Sequence, residues 1–147
     1  YSSTQERTSD TLELVSDRTD YTRLKGIKEW NFGLFEAQPE RLQPKFRPGA
    51  TSFEDLFVPY GGEGVDQVGE RVLVTLTEVM EQAGAEPVLA VSHGGAMWAF
   101  YLKIAAQALD PKVRFGNCAI CHYRYEQGHF RLAEVIDPLT GSVYVCE

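Results

Sequence analysis

Three side chains have the type and setting to act on an anion. His93 follows the short apolar run Val88-Leu89-Ala90-Val91-Ser92 and precedes Gly94 and Gly95. Such a run, without polar alternation, reads as a strand buried on both faces of a parallel sheet. Open α/β sheets bind ligands just beyond the carboxyl ends of their strands. The N–H groups opening the next helix favour an anion there, and glycine lets the backbone approach it closely. Gly94 is therefore a candidate phosphate contact. An imidazole at this point can serve as nucleophile, as acid or base, or as a hydrogen-bond donor to a phosphoryl group. The plainer alternative is a residue that closes a turn or caps a helix. Arg7 lies in the first turn of the opening helix, where a guanidinium can grip two phosphate oxygens or simply face solvent. Glu29 sits beside Trp30 in an aromatic loop, where a carboxyl can be held protonated as a general acid, although most loop glutamates are only solvated.

A fourth cluster reads differently. Cys118-Ala119-Ile120-Cys121-His122 has the C-x-x-C-H spacing of covalent haem attachment, and its C-x-x-C resembles zinc and redox motifs. The segment reads as a strand, in which residues three apart point to opposite faces, with Cα atoms about 10 Å apart against the ~7 Å that a disulfide spans. No second Cys or His pair with zinc spacing accompanies it. Neither metal nor cofactor is expected.

The elements that must position these groups follow from pattern. Ser3-Thr4-Gln5-Glu6 matches a capping box, so a helix starts at Ser3 and ends near Ser16 or Asp17. Residues 24–36 carry Trp30, Phe32 and Phe35, too apolar for a solvated linker, and read as a loop packed on the body. Residues 37–62 hold four of the seven prolines and close on Gly61-Gly62, which reads as a loop-rich lid or surface excursion. Val65, Val68, Val72, Leu76, Val79 and Ala83 mark a helix over 65–83, stopped by Gly84. His93-Gly94-Gly95 reads as a turn and Ala96–Leu109 as a helix ending before Pro111. Residues 117–126 and 129–136 form a hairpin about Gln127-Gly128, and Val143–Val145 add a short piece.

A sheet built only from these strands is incomplete. The run 88–92 needs a neighbour on each side, so a central strand is expected to be missing from this chain. The 147 residues suit one domain, and 44% hydrophobic residues supply a sizeable core. Fourteen Lys and Arg against twenty-one Asp and Glu give a net charge of −7, which opposes general binding of nucleic acid or anionic membrane. No apolar run is long enough to span a bilayer. Three cysteines are too few for a disulfide scaffold, and a reducing, cytoplasmic setting is the expectation.

Taken in order, the segments resemble the histidine phosphatase superfamily, the phosphoglycerate mutase-like proteins. Ser2–Thr11 matches its S-S-x-x-x-R-x-x-x-T helix start, and Glu29–Glu36 matches its E-x-x-F-G-x-x-E loop. Gly61-Gly62-Glu63 with Arg71 resembles G-G-E-S-x-x-x-x-x-x-R, Val91–Gly95 is V-S-H-G-G, and Asn117-Cys118-Ala119 resembles N-C-S. Gly64 stands where that pattern has Ser, and Ala37 where it has Gly. The resemblance implies a three-layer α/β/α sandwich around a mostly parallel sheet with one antiparallel strand, forming a single domain over 1–147. It implies hydrolysis of a small phosphorylated metabolite through a phosphohistidine. Mutase-type transfer, or a non-catalytic phosphate-binding domain, are the alternatives. By the same resemblance Arg7 binds phosphate, Glu29 protonates the leaving oxygen, His93 stabilises the phosphoryl charge as the second active-site histidine, and Asn117 contacts the pocket. The family's nucleophile belongs to an R-H-G motif on the first central strand, and no Arg-His-Gly occurs here. The nucleophile is thus expected upstream of residue 1, and the 147-residue chain alone is expected to be inactive. Oligomeric state is unreadable from these patterns.

Overall fold

The computed structural model describes residues 1–105, 109–110 and 112–146. Strand β1 (Ser2–Ser3) leads into helix α1 (Glu6–Ser16), and β2 (Arg23–Leu24) returns parallel to β1, pairing Ser2 with Arg23 and Ser3 with Leu24. Two long helices follow, α2 (Val65–Ala83) and α3 (Gly94–Ile104). The chain closes with an antiparallel sheet, β3 (Ile120–Glu126), β4 (His129–Asp137) and β5 (Ser142–Val145).

Helix α2 forms over the residues its periodicity marks. Val68, Val72 and Val79 are buried on one stripe, and Gly84 at φ 62° ends it. The Gln67 side chain accepts the Gly64 N–H at 2.9 Å, satisfying one of the free donors at the helix start. The β3–β4 turn is also as read: Gln127 and Gly128 both have positive φ, the requirement of a two-residue turn matched to strand twist.

The main core joins α2, α3 and the aromatic loops. Ile27, Trp30, Phe57, Val68, Val72, Ala96, Ala99 and Phe100 are buried together. Leu24 ends β2, and residues 25–36 are packed loop, with single 3-10 turns at Lys25–Ile27 and Gly33–Phe35. The 37–62 excursion is anchored to the same core through Phe57, which makes edge-on contacts with Phe32, Phe35 and Phe53. Gly33, at φ 58°, lies so close to Tyr60 and Gly62 that a Cβ there would strike their backbone, which fixes the 29–36 loop against the Gly61-Gly62 turn. Ala37 adopts φ 58° without being glycine. A second cluster, Tyr101, Val113, Leu132 and Val135, seats the antiparallel sheet on α3.

Four expectations are corrected. Ser3 does not cap α1 with Glu6 reaching back; the N-cap is Gln5, and Glu6 instead binds Arg23 at 2.9 Å. Pairing decides this, because Ser3 N–H donates to Val91 O at 3.0 Å and so belongs to a strand. Gly94 and Gly95 are the first residues of α3, not a separate turn, and α3 ends at Ile104, well before Leu109. Asp110 N–H donates to Tyr101 Oη at 3.2 Å; residues 106–108 and Pro111 lie outside the described residues. The run 88–92 is not a strand buried on both faces. It makes one isolated parallel bridge, Ser2 to Val91, and Leu89 is 52% exposed. Finally, the expected mostly parallel sheet is two sheets, a short parallel one and an antiparallel one of three strands. The reason is the same in both cases: among the described residues, no strand pairs with the second edge of 89–91 or with the outer edge of β3.

Candidate functional site

Parallel pairing brings two chain segments to one level. Val91 N–H donates to Tyr1 O, and Ser3 N–H donates to Val91 O, each at 3.0 Å. The next residue after this ladder on one side is the α1 entry, and on the other Ser92-His93. His93 is the N-cap of α3 and only 7% exposed. Its Nε2 meets Ser3 Oγ at 2.7 Å. Ser3 Oγ meets Thr8 Oγ1 at 2.8 Å, and Ser2 Oγ adds a bond to Thr8 Oγ1 at 3.0 Å. Ser2, Ser3, Thr8 and Ser9 are all buried, so the imidazole leans on a small interior cluster of hydroxyls. Burial first, and then the charges of Arg7 and Arg71, lower the His93 pKa to about 4. Arg7 and His93 are therefore within electrostatic reach of one another.

Glu29 approaches the same helix end. Its backbone N–H donates to Gln5 Oε1 at 2.8 Å, tying the loop to the start of α1. Its carboxylate accepts N–H bonds from Trp30 and Ala96 at 2.9 Å and a longer one from Gly95 at 3.4 Å. The carboxyl group thus faces N–H donors at the N-terminus of α3. Gly95 is needed for this approach, since a Cβ there would sit 2.7 Å from Glu29 Oε1.

Arg71 on α2 holds the loop in place. All five of its guanidinium N–H groups are used. Nε and Nη2 donate to the Glu63 carboxylate at 2.7 and 2.9 Å. Nη1 donates to the carbonyls of Gly26 and Lys28 at 2.9 Å, and Nη2 to that of Glu29 at 3.0 Å. Glu63 also accepts Asn31 N–H at 2.9 Å, and its carbonyl accepts Trp30 Nε1–H at 2.6 Å. Desolvation pushes the Glu63 carboxyl up, but Arg71 and the Asn31 N–H outweigh it and hold it below its ordinary value.

Arg7 is exposed, and its guanidinium makes no hydrogen bond or ion pair among the described residues. Gly94 is exposed, its N–H has no partner among the described residues, and a Cβ built on it meets nothing within 4 Å. The N-terminus of α3 therefore gathers an imidazole, a carboxylate and a free N–H, with a free guanidinium in range. Asn117 stands apart from these bonds, exposed in the turn that precedes β3. Cys118 is exposed in that turn at φ 62°, not in the strand, and burial pushes the Cys121 thiol up to about 12. The described residues contain no group of His, Cys, Asp and Glu able to hold a metal ion.

The site contains partners that residue-by-residue reading passed over. The capping-box pattern places Ser3 at a helix cap and the motif match gives Ser2, Thr8 and Ser9 no role, though five hydroxyl residues within positions 2–9 are a visible signal. Arg71 and Glu63 were noted as motif letters only, and their joint task depends on loops distant in sequence.

Fold and site together define an α/β protein whose polar groups converge on one helix N-terminus. The chain belongs to the histidine phosphatase superfamily (branch 1), whose family model matches residues 1–138. It is 27% identical over 136 residues to a metal-independent phosphoserine phosphatase of Arabidopsis thaliana, covering 84% of this chain and 56% of that protein. It is likewise 27% identical over 132 residues to a probable phosphoglycerate mutase GpmB of Yersinia pestis, covering 82% of this chain and 60% of that protein. The same values hold for the GpmB of Yersinia pseudotuberculosis. The chain thus spans 56–60% of the length of these relatives. No solved structure matches significantly. No helix among the described residues is long and apolar enough to cross a membrane.

Proposed function

We propose that this chain is the larger part of a phosphomonoester hydrolase that works through a phosphohistidine, with the nucleophilic histidine supplied by a segment outside this sequence. That segment adds the central strand between the two sheets, completing a single three-layer α/β/α domain with residues 1–147. The observation that carries the reading is the convergence of His93, Glu29 and the Gly94 N–H on the start of α3, with the unpaired Arg7 in electrostatic range.

Arg7 and Gly94 N–H bind the phosphoryl oxygens of a small phosphorylated metabolite, and Asn117 is the weaker candidate for a contact near the pocket. His93 meets the oxygen on which charge develops. The histidine attacks phosphorus in line while Glu29, entering the step in its protonated form, gives that proton to the departing oxygen; the Glu29 carboxylate so formed then takes a proton from the water that releases phosphate from the phosphohistidine. Catalysis rests on positioning and charge stabilisation, which preorganised donors supply. The chain's net charge of −7 makes these few cationic and N–H groups the local counterweight to a repelling far field. A cytoplasmic setting suits such a metabolite enzyme.

The test uses the full-length protein. It hydrolyses p-nitrophenyl phosphate, and acid quenching traps an acid-labile phosphoenzyme. Glu29→Gln lowers kcat on the order of 10²- to 10⁴-fold, the range for lost general acid catalysis, and does so most for poor leaving groups. Failure to turn over any phosphomonoester between acid and neutral pH overturns the reading. Isomerisation of a phosphoglycerate outpacing phosphate release assigns the protein to mutase chemistry instead.

A further inference from the structure

Residues 46–54 form a fastened aromatic flap beside the start of α3. Phe53 lies at its base. A Cβ built on Gly95 would stand 3.5 Å from Phe53 Cε2 and 2.7 Å from Glu29 Oε1, so the edge of the ring borders the Glu29 carboxyl. Trp30, Phe32 and Phe57 hold Phe53 edge-on, at centroid distances of 5.1, 5.5 and 5.4 Å. Phe46 stacks on it at 5.3 Å, with 21° between the rings, and is nonetheless 55% exposed. A lone exposed aromatic needs no explanation, but this one sits on a segment fixed from two sides. Arg47 grips both oxygens of Glu54, Nε at 3.1 Å and Nη2 at 2.6 Å, and closes the flap on itself. Trp98 of α3 donates its Nε1–H to Thr51 O at 2.7 Å, which pins the flap to the helix whose start carries the site. An apolar face held rigid in this way has little freedom left to lose when a ligand covers it.

We infer that the stacked pair Phe46 and Phe53 is the wall against which the leaving group lies, and that the protein prefers phosphomonoesters of apolar, ring-bearing alcohols to those of polyhydroxylated or carboxylated ones. This rests on the proposed function, in which Glu29 protonates the departing oxygen. That oxygen then lies at hydrogen-bond distance from Glu29, and the carbon group it carries comes within reach of the Phe53 edge. A carboxylated leaving group needs a cation at this place. The one cation of residues 46–54 is Arg47, and its fork is committed to Glu54. A ring instead gains an aromatic contact of the kind that changes an equilibrium or rate about 2- to 10-fold. Phe53 belongs to the core and holds the wall in place; Phe46, its exposed member, sets the preference.

The test compares phenethyl phosphate with glycerol phosphate in the full-length protein. Both release a primary alcohol, so the ratio of their kcat/KM values reads recognition of the leaving group, and it is independent of the fraction of protein that is folded. The wild-type ratio exceeds about 10 in favour of phenethyl phosphate. Phe46→Ala lowers that ratio about 2- to 10-fold, and Phe46→Tyr, which keeps the ring, retains it. A wild-type ratio at or below one, or a ratio that Phe46→Ala leaves unchanged, overturns the inference. Calorimetric binding of the matching phosphonates, which cannot be hydrolysed, reads the same preference without turnover. A protein that binds the phenyl phosphonate more tightly, and loses this with Phe46→Ala, yet turns over no phosphomonoester, sinks the proposed function alone. An active enzyme indifferent to the ring sinks this inference alone.

Discussion

Replacing Arg71 by methionine is the sharpest single test of how the site is built. Methionine keeps the aliphatic stem and removes every donor. The guanidinium and the Glu63 carboxylate are each only 19% exposed, so the pair is largely desolvated. Removing one partner of a fully buried pair costs about 3–5 kcal/mol because the other charge is left alone. Partial solvent access lowers this, and the carbonyls of Gly26, Lys28 and Glu29 lose their donors in addition. A loss of about 3 kcal/mol is expected for Arg71→Met. With a urea m-value of about 2 kcal/mol/M, the midpoint falls by about 1.5 M. Arg71→Lys recovers less than half, because an ammonium cannot span a carboxylate and three carbonyls at once. Double replacement with Glu63→Gln costs less than the sum of the single changes, since the orphaned charge is gone. Activity falls more steeply than stability. The Glu29 carbonyl is one of the clamped groups, and a displacement of about 1 Å in a catalytic side chain costs roughly 10²-fold. Urea titration and kcat on p-nitrophenyl phosphate measure both. A midpoint shift under about 0.3 M with unaltered kcat would refute the clamp.

Arg7→Ala raises KM about 10- to 100-fold while leaving the melting temperature within error, because the exposed guanidinium holds no protein partner among the described residues. Gly69→Ala destabilises by about 1–3 kcal/mol in urea, although alanine is the better helix former, because its Cβ would lie 2.8 Å from Ala99 O where α2 crosses α3. His93 has a folded pKa of about 4 against an ordinary 6.5. Between those values the unfolded chain binds a proton that the folded chain refuses, so stability falls as pH drops through this window and levels off below it. The difference between wild type and His93→Gln in pH-dependent melting isolates that slope. Glu63, with its pKa held below 4.5, adds a further loss beneath that pH, and Glu63→Gln removes it.

The antiparallel sheet and the two long helices pack through shared aromatic and aliphatic residues. By contrast, 89–91 and β3 each have an edge that no described strand satisfies. Unpaired strand edges invite pairing. An open edge beside the cluster of His93, Glu29 and Gly94 is what the proposed function requires, since it has the site finished by another strand. This is the proposal that the full-length activity assay examines.

What the sequence determined alone is what local pattern controls. The α2 stripe and its Gly84 stop, the Gln127-Gly128 turn, and the packing of the Trp30 loop all follow from periodicity, glycine conformation and hydrophobicity within a few residues. Residue type and motif order single out Arg7, Glu29 and His93 as candidates, and the structure brings Glu29 and His93 to the start of α3. Only the tertiary structure decided which atoms meet. Ser3 left its expected cap because pairing with Val91 claimed its backbone and His93 its hydroxyl. The run 88–92 failed to form a covered strand because a strand's stability lies in its neighbours, and no pattern within the run supplies them. Arg71 became the keystone of the Glu29 loop because its five donors found a carboxylate and three carbonyls that lie eight to forty-five residues away along the chain.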